Sequence, residues 1–96
     1  MAAYAMVEIS VTNNDGMGPY RAKVADTVAA HGGKYLILGG DTEVLEGNIG
    51  QHPVKVLLEF PSMDDARAWY NSPEYQEILP ARLDSSTANF VLVDGV

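Results

Sequence analysis

The sequence contains no cysteine, which excludes disulfide bonds, thiolate nucleophiles and thiolate metal sites. Basic residues are also scarce: six Lys and Arg stand against thirteen Asp and Glu, and the formal net charge is −7. Since no basic cluster is present to neutralise phosphates, we expect no nucleic-acid partner and no anionic membrane partner. No run approaches the roughly 18 apolar residues that a membrane span needs, and no secretory signal pattern is present. We therefore expect a soluble, cytoplasmic protein.

Most sequence motifs of catalysis are missing as well. There is no GxSxG nucleophile elbow, no phosphate-binding P-loop and no GxGxxG after a predicted strand. The two histidines, His31 and His52, are too few for an all-histidine metal or haem site. The sequence therefore marks no metal and no cofactor, and we expect none.

The sequence does contain a regular succession of strand and helix patterns over residues 1–96, which we interpret as one domain. Between residues 4 and 11 every second residue is apolar and would occupy one face: Ala5, Val7, Ile9 and Val11. This period of two predicts a strand. Apolar runs of similar length predict three further strands, at Lys34–Leu38, Val54–Phe60 and residues 87–93.

Two helical regions separate these strands. The first begins at Pro19 and ends at Gly32, since proline suits the first turn of a helix and glycine suits the residue after its end. The second begins at the capping residue Ser62 and is interrupted at Ser72 and Pro73, because proline cannot donate a hydrogen bond to the preceding turn. We predict that the helix restarts there in a new direction, so that each segment buries its own apolar face.

A glycine pair follows the second predicted strand. After Gly39 and Gly40 the chain reads Val44, Leu45 and Glu46, which again has strand-forming character. We interpret the pair as a bulge or bend, after which the strand resumes at Val44.

The order of elements is β-α-β-β-α-β, which predicts an α+β, ferredoxin-like fold. Such a fold has a four-stranded antiparallel sheet with both helices on one face. The second and last predicted strands are apolar on both faces, with residues such as Leu36, Ile37, Phe90 and Val91. Apolar side chains are unfavourable on a sheet face that is exposed to water. We therefore expect a homodimer in which the two uncovered sheet faces cover each other.

Several segments of the sequence resemble a known family. The phrases HGGKYLILGG, VLEG, LLEFPS, AWYNSPEYQ, LPAR and FVLVDG, in this order and spacing, resemble the small bacterial proteins of domain of unknown function family 1330 (DUF1330). The resemblance spans nearly the whole chain, and the AWYNSPEY segment is its most specific part. One segment departs from the pattern, since DGMGPY stands where a more continuous helical lead-in is expected. The start of the first helix is therefore open.

This resemblance implies a ferredoxin-like fold of the dimeric α/β-barrel superfamily, in which two sheets meet face to face across a two-fold axis. It also implies a pocket between the helices and the sheet of each protomer. The superfamily includes cofactor-independent oxygenases, lactone isomerases and haem enzymes, whereas the family itself has no known reaction. The resemblance therefore supplies the location of a pocket and no chemistry.

Two residues of the first predicted helix are candidates for such a pocket. Tyr20 and His31 lie about three helical turns apart, so both can face the sheet. One interpretation is that both pack at the edge of the core. The other is that His31 acts as an acid, a base or a hydrogen-bond donor, because its ordinary pKa lies near neutrality. Trp69 and Tyr75 have two interpretations as well: they pack in the core, or they form a wall of the pocket.

Two charged residues complete the candidate set. Arg82 shares a helical face with Tyr75, so its guanidinium extends to water, forms a structural ion pair or binds the carboxylate of a ligand. Glu46 could pair with Arg82 or with His31, or could lie solvated in a loop.

Two functions follow from these alternatives. In the first hypothesis the protein binds a small organic molecule, such as an organic anion, with or without catalysing a cofactor-independent reaction on it. In the second it is a homodimeric structural or interaction module without catalytic activity. In the first case the helix break directs Tyr75 and Arg82 into the same cavity as Tyr20 and His31. The complete set of candidate site residues is Tyr20, His31, Glu46, Trp69, Tyr75 and Arg82.

Overall fold

The computed structural model describes residues 1–96. The four strands are β1 (Ala3–Val11), β2 (Lys34–Leu38), β3 (Val54–Phe60) and β4 (Ser86–Asp94). The three α-helices are α1 (Gly18–Ala30), α2 (Met63–Asn71) and α3 (Pro73–Ser85). None of these helices is both long and apolar enough to cross a membrane.

The strands form one antiparallel sheet in the order β2-β3-β1-β4, so the two central strands are β3 and β1. Alternate residues of β1, including Ala5 and Val7, are buried against the helices, whereas Met6 between them is 52% exposed on the opposite face. The hydrophobic core lies between this sheet and the helix layer. The predicted α+β, ferredoxin-like fold is confirmed.

The first helix starts and ends at glycine-rich segments. Residues Asp15–Met17 form a single 3₁₀ turn that leads into α1 at Gly18, which settles the start that the sequence left open. At the other end Gly32 has a φ of +75°, which favours glycine. The N–H of Gly32 donates to the carbonyl of Ala29 and that of Gly33 to the carbonyl of Val28, each at 3.0 Å. This pair of bonds is the Schellman ending that glycine makes possible.

The second strand ends earlier than the sequence predicts. β2 stops at Leu38, no strand resumes at Val44, and residues 40–51 are all exposed. The φ angles of Gly39 and Gly40 are +69° and +101°, so two successive left-handed residues turn the chain away from the sheet. The irregularity in the strand lies instead between Tyr35 and Ile37. The interpretation of the glycine pair as a bend within a continuing strand is therefore wrong.

The predicted break in the second helical region is confirmed as two separately capped helices. The hydroxyl oxygen of Ser62 accepts the N–H of Asp65 at 3.1 Å and so caps α2. At the break, the hydroxyl of Ser72 accepts the N–H of Tyr75 at 3.2 Å and donates to the carbonyl of Trp69 at 2.7 Å. One buried serine therefore ends α2 and starts α3, which then continues through Pro80 to Ser85.

Candidate functional site

A cavity of about 520 Å³ lies between the helix layer and the sheet. Its walls come from α1 and α3 on one side and from all four strands on the other. Thirteen of its fifteen lining residues are hydrophobic, and the other two are Arg21 and Arg82. The size is within the usual range for small-molecule sites, and apolar walls with a few polar groups are typical of them.

Arg82 is the buried charge of this cavity. It lies in the last turn of α3 and is only 4% exposed. Its guanidinium carbon lies 4.7 Å from the ring centroid of Phe90 and 5.7 Å from that of Tyr20, so it is held between two aromatic rings. The chain's three ion pairs do not include Arg82, and its Nε has no hydrogen-bond partner. Buried charges are normally paired, so Arg82 has an unused capacity to bind an anion.

Two tyrosine hydroxyls meet beside this arginine. The hydroxyl of Tyr20, on the cavity wall, lies 2.8 Å from that of Tyr75, which is fully buried behind it. Burial and the neighbouring Tyr75 raise the pKa of Tyr20 far above its usual range. Burial also raises the pKa of Tyr75, although the hydrogen bond with Tyr20 and the charge of Arg82 oppose that rise. Both phenols are therefore neutral near pH 7 and act as hydrogen-bonding groups, not as phenolates.

These shifts predict a loss of stability in alkali. Burial also raises the pKa of Tyr35, so three phenols keep their protons in the folded state at a pH where the unfolded chain ionises them. Their contribution to stability is complete below the unfolded pKa of about 10 and is lost as the pH rises above it. Each tyrosine steepens the fall of the unfolding free energy by up to about 1.4 kcal/mol per pH unit.

Urea unfolding measured between about pH 8 and pH 11 checks this expectation. Tyr20→Phe removes the phenol with the largest shift, so its curve should fall less steeply with pH than that of the wild type. If the two curves stay parallel above about pH 10, the phenol of Tyr20 titrates freely in the folded protein and the expectation is contradicted.

The structure brings some of the candidate residues together and separates others. Tyr20 and Arg82 line the cavity, and Tyr75 contacts Tyr20 from behind. Trp69 is fully buried and packs against Tyr75, with ring centroids 4.3 Å apart and the ring planes tilted by 47°, but it does not line the cavity.

His31 and Glu46 lie away from this group. His31 caps the end of α1, where its Nδ1 is 3.1 Å from the carbonyl oxygen of Thr27, and it is not among the lining residues. Glu46 lies in the exposed loop between β2 and β3 and forms no ion pair. No group of three or more His, Cys, Asp or Glu side chains lies close enough together to hold a metal ion.

Other lining residues were not singled out from the sequence. Phe90 is paired with Val7, which also lines the cavity. The alternation of side chains along β4 could therefore have indicated that Phe90 faces the helices. Tyr35 and Leu38 both reach the cavity because the irregularity between them reverses the alternation along β2. No local pattern in the sequence indicates that reversal.

Residues 2–96 match the family model described as Domain of unknown function (DUF1330). The chain belongs to this family. The match covers almost the whole chain and confirms the resemblance carried by the AWYNSPEY segment and its neighbours. No functionally curated protein is similar enough in sequence to this DUF1330 protein to count as a match.

Solved structures with the same fold are distant in sequence. A protein of unknown function from Rhodopseudomonas palustris is 17% identical, with a TM-score of 0.72 over 99% of this chain and 82% of its own. A dimeric ferredoxin-like protein of unknown function from Jannaschia sp. CCS1 is 15% identical, with a TM-score of 0.68 over 99% and 100% of the two chains. SnoaB, a cofactor-independent oxygenase from Streptomyces nogalater, is 13% identical, with a TM-score of 0.56 over 99% and 93%. At these identities the likeness shows the fold alone.

Proposed function

We propose that this DUF1330 protein binds a small organic acid in the cavity between its helices and its sheet, with the anionic group on Arg82. The observation that carries the proposal is a buried arginine, without an acidic partner, in the wall of an otherwise apolar cavity. A carboxylate in the cavity would supply the negative charge that this buried guanidinium lacks, and buried charges are normally paired. The planar guanidinium suits a carboxylate because it can donate two parallel hydrogen bonds.

The alternative function, a structural or interaction module without a ligand, predicts a different environment for this arginine. In that case Arg82 would form an ion pair inside a closed core. The open cavity and the missing carboxylate partner therefore favour ligand binding.

A reaction at this site would depend on few groups. The cavity wall contains no Asp, Glu or His, so the polar groups available are two guanidiniums and the hydroxyls of Tyr20 and Tyr35. These can bind an anion and stabilise negative charge, but they offer no general base that is poised near neutral pH. Binding is accordingly the function that the geometry supports best, and cofactor-independent catalysis would need a substrate that is already anionic.

The proposal is tested by comparing ligand binding in the wild type and in Arg82→Met, which removes the charge and keeps much of the side-chain volume. We expect small carboxylates such as butanoate and benzoate, but not their amides, to stabilise the wild type in a thermal-shift screen. Calorimetry should show affinity about tenfold to a hundredfold weaker in Arg82→Met, the usual loss for a hydrogen bond to a charged group. Equal responses of the two proteins to every acid would contradict the proposal.

Two controls make this comparison specific. Arg67→Met removes an arginine from the surface of α2, where it pairs with Asp64, and should leave carboxylate binding unchanged. The melting temperature of Arg82→Met without ligand shows whether that variant is folded, so loss of binding is not confused with loss of structure.

We also propose that the protein is a homodimer, as its sequence suggested, with the helix-free sheet faces in contact. An apolar row crosses all four strands of that face through register partners: Ile37, Leu57, Met6 and Val91. Three of these residues are between 43% and 52% exposed, so the row is open in the protomer. The Jannaschia protein, which has a similar fold, is described as dimeric.

A further inference from the structure

The cavity has a buried end and an exposed end. At the buried end Tyr20 and Arg82 are 8% and 4% exposed. At the other end the lining residues are Leu38, which is 71% exposed, Val54 at 42% and Val11 at 38%. Leu38 and Val11 are the last residues of β2 and β1, and Val54 is the first residue of β3. Because neighbouring strands are antiparallel, all three lie at the same end of the sheet. They form the mouth of the cavity.

The buried charge and the exposed apolar side chains therefore lie at opposite ends of the cavity. The guanidinium of Arg82, which has no acidic partner, is at the buried end, whereas the mouth displays large aliphatic side chains to water. Exposed apolar side chains that continue a cavity are typical of a binding surface. A ligand that satisfies both ends must have its charge innermost and its apolar part outermost.

We infer that the ligand is an amphipathic monocarboxylate, which binds with its carboxylate on Arg82 and its hydrocarbon tail directed toward Leu38 and Val54 at the mouth. This inference rests on the proposed function and adds the class and the orientation of the ligand. Thirteen hydrophobic lining residues leave the tail with apolar contacts along its whole path. Tyr20, next to the arginine, provides a neutral hydroxyl for the second carboxylate oxygen, and Tyr75 holds that hydroxyl in place.

The second arginine of the wall does not provide an equivalent site. Arg21 is exposed, and its Nη1 already donates to the carbonyl oxygen of Asn14 at 3.2 Å. Water and salt weaken the attraction of such a surface charge for an anion. A dicarboxylate would therefore lose tail contacts at the mouth without gaining a buried partner there.

Calorimetry with a series of straight-chain carboxylates tests the inference, each acid being kept below its critical micelle concentration. From butanoate through hexanoate and octanoate to decanoate, affinity should increase by up to about fourfold for each methylene group that the cavity buries. The increase should end when the tail extends beyond the mouth. Octanoate should bind more tightly than octanamide, which has no charge, and than octanedioate, which carries a second carboxylate on its tail.

Variants at the two ends separate head from tail. Leu38→Ser at the mouth should weaken decanoate binding by roughly tenfold and leave butanoate binding unchanged, since only the longer tail reaches it. Arg82→Met should weaken both acids by a similar factor. Leu45→Ser is the matched control, because Leu45 is 84% exposed and lies outside the cavity wall. Both leucines are exposed, so neither replacement should prevent folding.

The outcomes distinguish this inference from the proposed function. If no carboxylate binds the wild type, the proposed function fails and the inference fails with it. If butanoate binds through Arg82 but affinity does not increase with chain length, only the amphipathic ligand is ruled out. If affinity does increase but Leu38→Ser weakens butanoate as much as decanoate, or octanedioate binds as tightly as octanoate, the head-inward orientation is wrong.

Discussion

Replacing Trp69 with alanine is expected to lower the free energy of unfolding by about 3–5 kcal/mol, the usual cost of losing a large aromatic from a core. Trp69 is fully buried, and its ring lies 5.2 Å from that of Phe60 and 4.3 Å from that of Tyr75. Its indole N–H donates to the hydroxyl oxygen of Thr27 at 3.0 Å. The replacement therefore removes aromatic contacts and a buried hydrogen bond at the same time.

Denaturant unfolding measures the effect on Trp69→Ala, followed by circular dichroism because the variant has no other tryptophan. Trp69→Phe keeps a ring in the core and should cost less. Arg67→Ala, on the exposed side of the same helix, should change stability by no more than about 0.5 kcal/mol. A wild-type fluorescence maximum typical of indole in water, or a loss below about 1 kcal/mol in Trp69→Ala, would show that Trp69 is not a core residue.

The features that the sequence predicts best are those that depend on neighbours in the chain. Ser62 and Ser72 each cap a helix by accepting the N–H three residues later. The caps and the break between the helices are therefore determined by residues that are close in the sequence. The ending of α1 at Gly32 is local for the same reason. These signals could be interpreted without knowing what the helices pack against.

Features that depend on a distant partner could not be predicted in this way. Whether the chain after Gly40 forms a strand depends on a neighbouring strand to pair with, and Val44 has none in the protomer. The irregularity between Tyr35 and Ile37 is equally non-local, and it moves Leu38 to the cavity side of the sheet. The exposed mouth of the cavity therefore emerged only from the structure.

The candidate site also has features that local sequence predicts and features that depend on distant residues. Helical spacing places Tyr20 on the inner side of α1, and the restart at Ser72 gives α3 a buried face that contains Tyr75 and Arg82. Whether Arg82 has an acidic partner could not be decided from the sequence, because every acidic residue was a possible partner. In the structure neither Glu46, in its exposed loop, nor any other acidic residue forms an ion pair with Arg82.

The helix-free sheet face is divided into a polar part and an apolar part. On the polar part Lys55 donates to the carboxylate of Glu8 at 3.1 Å and to the carbonyl oxygen of Ile49 at 2.6 Å. Asn89 donates to the side-chain oxygen of Gln51 at 2.7 Å, so the loop before β3 reaches across to β4. The chain thus covers the polar part with its own loop. The apolar row through Met6 remains open for a second copy.

Met6→Lys is accordingly expected to convert the protein from a dimer to a monomer. Met6 lies at the centre of the row on β1, between Leu57 of β3 and Val91 of β4. The two-fold symmetry of a dimer brings two copies of the new charge into one interface, where each would be buried without a partner. A penalty of several kcal/mol weakens association by at least about a hundredfold.

Sedimentation at micromolar concentration should therefore give a dimer for the wild type and a monomer for Met6→Lys. Leu83→Lys is the matched control, because Leu83 is 58% exposed on α3 and lies away from the sheet face, so this variant should remain dimeric. The melting temperature of the wild type should rise with protein concentration, since association stabilises the folded chain by mass action, and that of Met6→Lys should not. A wild-type monomer under these conditions, or a Met6→Lys dimer of unchanged affinity, would show that the sheet faces do not meet.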